Sequence, residues 1–213
     1  MRSCLLLLVP LGNTSFLGIP MVESFFGKNH IPYAILYDQL GSFLILATYG
    51  SLITSLYSKK PGEKTNILKK VFSFPPFLAL LLSIPLSQLS YTPVFAKILQ
   101  TLASTLIPLV MISVGLQLRF RLPRKYLFPL SISLFLKLVL MPMLTFFFCK
   151  LFYLRDASAK VAIFEAGMPP MITAGAVAIL AGFAEDLAAA LLAVGILLCF
   201  LTLPVVHWSL KFL

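Results

Sequence analysis

Charge is what this sequence has least of. Only 11% of its 213 residues are Asp, Glu, Lys or Arg, while 60% are hydrophobic; a soluble domain carries about 25% charged residues. No water-soluble fold of this length hides so much apolar surface, so lipid acts as the solvent for a single membrane-embedded domain. Acidic residues number seven against seventeen Lys and Arg. The basic residues sit in short polar gaps between apolar runs, as in cytoplasmic loops, and no nucleic-acid-binding motif accompanies them, so nucleic acid is not an expected partner. The three cysteines, Cys4, Cys149 and Cys199, lack metal-ligand spacing and read as small hydrophobes. The two histidines, His30 and His207, are isolated and read as interfacial residues. There is no H-E-x-x-H and no G-x-x-x-x-G-K-[ST], which argues against a metalloprotease and against ATP hydrolysis. The last apolar run has no mid-span lysine for a retinal Schiff base, since Lys211 lies at its end. No enzyme, cofactor or metal is expected.

What the chain does have is long apolar runs. A spanning helix needs about 20 mainly apolar residues. Seven segments meet that rule, at about 3–26, 33–57, 68–89, 95–118, 126–150, 158–181 and 186–210. The runs are continuous rather than alternating, which favours helices over a barrel. The expected fold is therefore all-α and integral to the membrane. The polar gap at 58–67 and the residues around it carry Lys59, Lys60, Lys64, Lys69 and Lys70; the gap near 119–125 carries Arg119, Arg121, Arg124 and Lys125. With Arg2 these make ten basic residues on one side, against six on the other (Lys28, Lys97, Lys150, Arg155, Lys160 and Lys211). The bias places both gaps and the amino terminus in the cytoplasm. Asn13-Thr14-Ser15 fits the glycosylation pattern but lies inside an apolar segment, so the match is accidental.

Two of the segments are interrupted. The first, LLLLVPLGNTSFLGIPMVESFFG, holds Gly12, Asn13, Thr14, Ser15, Gly18 and Pro20 at its centre. The sixth, AKVAIFEAGMPPMITAGAVAILAG, holds Glu165, Gly167, Pro169, Pro170, Thr173 and Gly175. Proline removes a backbone donor and glycine admits non-helical angles. The freed backbone groups are tolerated at membrane depth only inside protein or beside a polar cavity. Gly12 and Gly27 bracket the second half of the first segment, and Gly167 and Gly182 that of the sixth, with an offset of 155 residues. An odd number of helices separates the two units, so they run in opposite directions. Broken helices at matching positions of an inverted repeat point to a secondary transporter's binding site. By that symmetry residues 1–57 end a first repeat, 58–67 form a cytoplasmic loop and 68–213 form a second five-helix repeat. Three helices, about 90–100 residues, are then expected to precede the first crossover.

The candidate site residues follow. Asn13, Thr14 and Ser15 offer donors and acceptors at the first break, where half-helix N-termini favour a carboxylate. Gly18, Met168, Pro169 and Pro170 shape the two breaks. Asp38, Lys137 and Glu165 are ionisable residues within predicted spans, where charge marks a pathway or relay. Lys137, near mid-span, is expected to meet an anion. Asp38 and Glu165, nearer their segment ends, are expected to carry coupling ions or protons. Tyr33, Tyr37 and Trp208 fit an aromatic belt.

The stretch GNTSFLGIPMVESFFG, with Tyr37-Asp38 after it, resembles the first crossover of the auxin efflux carrier family. MISVGLQL at 111–118 and EAGMPPMITAGAVA at 165–178 resemble its later helices and second crossover. The resemblance implies ten helices in two inverted repeats, of which this chain supplies the fourth to tenth, with the fourth and ninth crossing centrally. It implies a bacterial-type permease in the inner cell membrane, moving a small organic anion with protons or another ion, and a homodimer. A membrane fragment without transport activity of its own is the alternative.

Overall fold

A computed structural model describes residues 1–57, 75–88, 92–117 and 124–213. Among these the chain is all-α, with no strand. We number the helices α1 (Arg2–Leu8), α2 (Ile19–Phe26), α3 (Lys28–Tyr57), α4 (Pro75–Leu86), α5 (Pro93–Gln117), α6 (Arg124–Leu151), α7 (Ala157–Ala166), α8 (Ile172–Leu180) and α9 (Glu185–Phe212). Within the described residues each apolar segment is helical, apart from the two breaks. Among the described residues α3, α6 and α9 are long and apolar enough to cross a bilayer, at 30, 28 and 28 residues. The predicted loop at 58–67, with its lysines, lies outside the described residues, as do Arg119 and Arg121.

The two interrupted segments break as their residues dictate. After α1 the chain meets Pro10 and Gly12 and resumes helix in a π-type turn, Thr14–Gly18, that runs into α2. After α7 it passes Gly167, Pro169 and Pro170 before α8 begins. Both second halves stop at a glycine with positive φ, Gly27 at 85° and Gly182 at 73°, a conformation that side-chain-bearing residues resist. The start of α7 is fixed by Asp156, which accepts from the Ala159 amide N–H at 3.3 Å and from the Ser158 hydroxyl at 2.6 Å.

The breaks meet each other. Asn13 N–H donates to the Pro169 carbonyl at 2.7 Å, and Met171 N–H donates to the Leu11 carbonyl at 2.9 Å. These bonds make an isolated antiparallel bridge between Gly12 and Pro170. They satisfy backbone groups that the breaks release, as burial demands. Around the bridge α1 packs on α8, and α2 packs on α7. Leu7, Leu8, Leu11 and Leu17 from the first crossover and Phe164, Met168 and Leu191 from the other side are all buried in one core. Close approach needs small residues. A Cβ on Gly195 of α9 would lie 2.9 Å from Pro170 Cδ, so glycine there lets α9 seat against the second break.

The register differs from the spacing of the glycines. Leu8 and Ala166 close the first halves, Gly12 faces Pro170, and Asn13 and Met171 precede the second halves, an offset of 158 in each case. Gly27 and Gly182 remain 155 apart. The second half of the first crossover is therefore three residues longer, and it contains the π-type turn.

Large apolar side chains face outward from the long helices, among them Leu40, Phe128, Phe147, Leu201 and Trp208. This is the exterior expected against lipid tails. Tyr33 and Trp208 are exposed, as a belt requires. Tyr37 departs from the belt reading: it is half-buried and faces inward, within electrostatic reach of Glu165.

Candidate functional site

Among the described residues eight polar or charged ones are buried, and three of them are formally ionisable: Asp38 is 2% exposed, Lys137 4% and Glu165 0%. Asp38 and Glu165 thus lie deeper than their positions near segment ends suggest. Asp38 lies in the π-type turn Tyr37–Phe43 within α3 and Glu165 next to the end of α7, and packing covers both. Burying an unpaired ion costs several kcal/mol, so the surroundings of each decide what it does.

Asp38 is held from the first crossover. Thr14 donates its hydroxyl to Asp38 Oδ1 at 2.6 Å, and Gln39 donates its side-chain N–H to Oδ2 at 2.7 Å. Ser15 supplies a further hydroxyl to the same carboxylate. Asp38 and Gln39 sit in a π-type turn, Tyr37–Phe43, of α3. Such turns hold an extra residue and re-aim side chains, and they recur at functional sites.

Glu165 differs. Both its oxygens are buried without a hydrogen-bond partner. It lies at the end of α7, one residue from the C-terminal Ala166, and points at Gly18 of the first crossover. It feels the charges of Asp38 and Lys137, which act on it with opposite sign. Phe164 beside it is wholly buried in an aromatic cluster with Phe25, Phe26 and His207, with ring centroids 4.8–6.3 Å apart. His207 is thus part of this cluster.

Lys137 is carried inward by another π-type turn, Leu136–Leu140 in α6. Its ammonium lies 3.1 Å from where a Cβ on Gly12 would stand, so the absence of a side chain at Gly12 makes room for it.

Asn13 completes the set. Its backbone holds the bridge, while its side-chain Oδ1 and Nδ2 are fully buried and lack partners. Buried polar atoms are nearly always satisfied, which marks this amide as a candidate binding group. Met168 is buried, and Pro169 and Pro170 act through backbone and shape, Pro169 by accepting from Asn13. The structure thus brings Asn13, Thr14, Lys137, Met168, Pro169 and Pro170 around the crossing, with Gly18 beneath Glu165 and Asp38 tied to Thr14. Gln39, Gly12 and Gly195 join them without having been singled out as ligands or supports. Their signal is weak in sequence: a glutamine beside an aspartate, and glycines in apolar helix.

The helix ends reinforce the chemistry. The second halves begin at Thr14 and Ile172, so two positive helix ends converge on the crossing. Lys137 and the Asn13 side-chain amide lie at the same crossing.

Comparison with known proteins bears on what such a setting serves. Residues 62–207 match the family model described as membrane transport protein. The chain is 30% identical over 198 residues to a protein of Methanothermobacter thermautotrophicus called an uncharacterized transporter, covering 92% of this chain and 64% of that protein. It is 33% identical over 172 residues to an uncharacterized transporter of Methanocaldococcus jannaschii, covering 78% of this chain and 54% of that one. The chain spans less than two thirds of the length of either relative.

Proposed function

Since this chain belongs to the membrane transport protein family, the auxin efflux carrier family of the sequence resemblance, we propose that it carries a small organic anion such as a carboxylate by secondary-active transport. The carrying observation is the set of buried, unpartnered polar atoms of Asn13 and Glu165 at a crossing that Lys137 also reaches. In this reading the substrate carboxylate takes the Lys137 ammonium, the Asn13 amide N–H and the two helix N-termini. Lys137 supplies charge, Asn13 supplies direction, and Met168, Pro169 and Pro170 bound the space. Ser15 and Thr14 keep Asp38 in place.

Coupling falls to Glu165, with Asp38 as its neighbour. A buried carboxylate without partners is stable only when neutral or when a cation sits beside it. Transfer of a proton or another ion to Glu165 therefore goes with one orientation of the crossing, and release with the other. The two crossovers turn as one unit because the Asn13–Pro169 and Met171–Leu11 bonds join them. An inverted repeat gives the two orientations equal standing. The host is a cell membrane crossed several times, with a homodimer as the expected assembly. Because the chain spans part of its relatives' length, transport by this chain unaided belongs to the proposal.

The test is uptake of radiolabelled mono- and dicarboxylates into vesicles containing the purified protein, with and without an imposed pH or sodium gradient. Saturable uptake that a gradient drives and an ionophore collapses supports the proposal. Vesicles that accumulate no carboxylate above protein-free controls contradict it.

A further inference from the structure

The two buried charges that the site needs are both seated on glycines of one short stretch. Lys137 comes from α6 and Glu165 from α7, yet Lys137 lies over Gly12 and Glu165 over Gly18. The fits differ. A Cβ on Gly12 would stand 3.1 Å from Nζ and 3.4 Å from Cε, the free end of a long side chain that yields easily. A Cβ on Gly18 would stand 2.7 Å from Glu165 Oε1 and 2.8 Å from Cδ, and closer still to Oε2. Glu165 is wholly buried, and at these distances a methyl at 18 would oblige its carboxyl to shift. Neither of its oxygens has a hydrogen-bond partner that would hold it there. The enclosure and the opposing charges of Asp38 and Lys137 act on it instead.

We propose that Gly18 is a socket for the Glu165 carboxylate and the positioning residue through which the first crossover holds the coupling group of the second. The inference rests on the transport site described above and adds to it a mechanical link. The residue at 18 matters for the side chain it lacks. While the carboxylate occupies the socket, the π-type turn Thr14–Gly18 and the end of α7 stay in register. When Glu165 changes its charge or its partner, the seat empties and the end of α7 shifts locally against that turn, while the Asn13–Pro169 and Met171–Leu11 bonds hold the crossovers together. Substrate and coupling ion thus act on the same turn, one through Asn13 and the other through Gly18.

The experiment uses dicyclohexylcarbodiimide, an apolar reagent that reaches carboxylic acids inside membranes. The acid proton passes to a carbodiimide nitrogen, the carboxyl oxygen bonds the central carbon, and the adduct rearranges to a stable N-acylurea. Mass spectrometry of the peptide holding position 165 gives the labelling rate at fixed pH. Four proteins are compared in detergent: wild type, G18A, E165D and G18A/E165D. Aspartate is one methylene shorter and draws the carboxyl back from the socket. G18A is expected to raise the rate about tenfold when Glu165 is present and less than about twofold in the E165D background, the non-additivity of residues in contact. A G18A protein that fails to fold while G18A/E165D folds as E165D does supports the same contact. An unchanged rate in G18A, an equal factor in both backgrounds, or misfolding of both G18A proteins overturns the proposal. Labelling needs no substrate, so the socket can stand even if the carboxylate reading fails.

Discussion

Asn13 donates its backbone N–H to the carbonyl of Pro169 at 2.7 Å, so the two interrupted helices are joined at the point where each is broken. That bond leaves the Asn13 side chain free, with Oδ1 and Nδ2 buried and unpartnered.

Asn13→Ala removes only the free amide. Deleting an unsatisfied buried polar group is close to neutral for stability, within about 1 kcal/mol. Thermal unfolding in detergent is expected to stay near wild type while carboxylate uptake falls at least about tenfold, the equivalent of about 1.4 kcal/mol. A large drop in melting temperature would show that the side chain is structural.

Thr14→Val does the reverse. It strips the hydroxyl from Asp38 Oδ1 and leaves a buried carboxylate oxygen without its donor. The expected loss of stability is about 1–3 kcal/mol, read from detergent-solubilised unfolding. Thr14→Ser keeps the donor and is expected to recover most of that loss.

Gly195→Val sets a branched side chain against Pro170 Cδ and Leu134 Cδ2, which lie 2.9 and 3.1 Å from the first added carbon. Overpacking of this kind costs about 1–3 kcal/mol. A lower melting temperature together with impaired uptake is expected, because the second break loses its seat on α9.

Asp156 gives a pH dependence outside the membrane spans. The Ser158 hydroxyl, then the Ala159 amide, hold its carboxyl below the usual carboxylate range. A carboxylate depressed in the folded state contributes stability that is present above its unfolded value and is lost as pH falls through its folded value. Amide exchange at Ala159 is therefore expected to gain an acid-induced component below about pH 4. Asp156→Ala should show fast exchange at every pH, without that step.

Much of this was legible in the sequence. The apolar runs marked the helices, and Gly12, Gly167, Pro169 and Pro170 marked the two breaks, because glycine and proline act locally; Pro20 falls inside the resumed helix Ile19–Phe26. The burial of charge was legible as positions, Asp38, Lys137 and Glu165, but not as partners. Three of the polar elements, those holding Thr14, Asp38 and Lys137, lie in π-type turns. An extra residue in a helical turn leaves hydrophobic periodicity almost intact while re-aiming one side chain, so sequence pattern does not reveal it. The same effect hid the register: equal glycine spacing gave an offset of 155, while the bridge sets 158 at the crossing. Gly18 was legible as a residue of the first break but not as the neighbour of Glu165, and Gly195 was visible only as a glycine, since what they admit comes from distant helices.

Lys137 decides the central claim. Lys137→Met keeps the unbranched side chain to within one atom of its length and removes its charge. Gradient-driven uptake of radiolabelled carboxylate is measured in vesicles carrying wild-type protein, Asn13→Ala or Lys137→Met, at matched reconstitution. The account predicts saturable uptake by wild type, at least about a tenfold loss in Asn13→Ala, and near-background uptake in Lys137→Met. Uptake that survives both substitutions unchanged would contradict it, and would move the anion site away from the crossing.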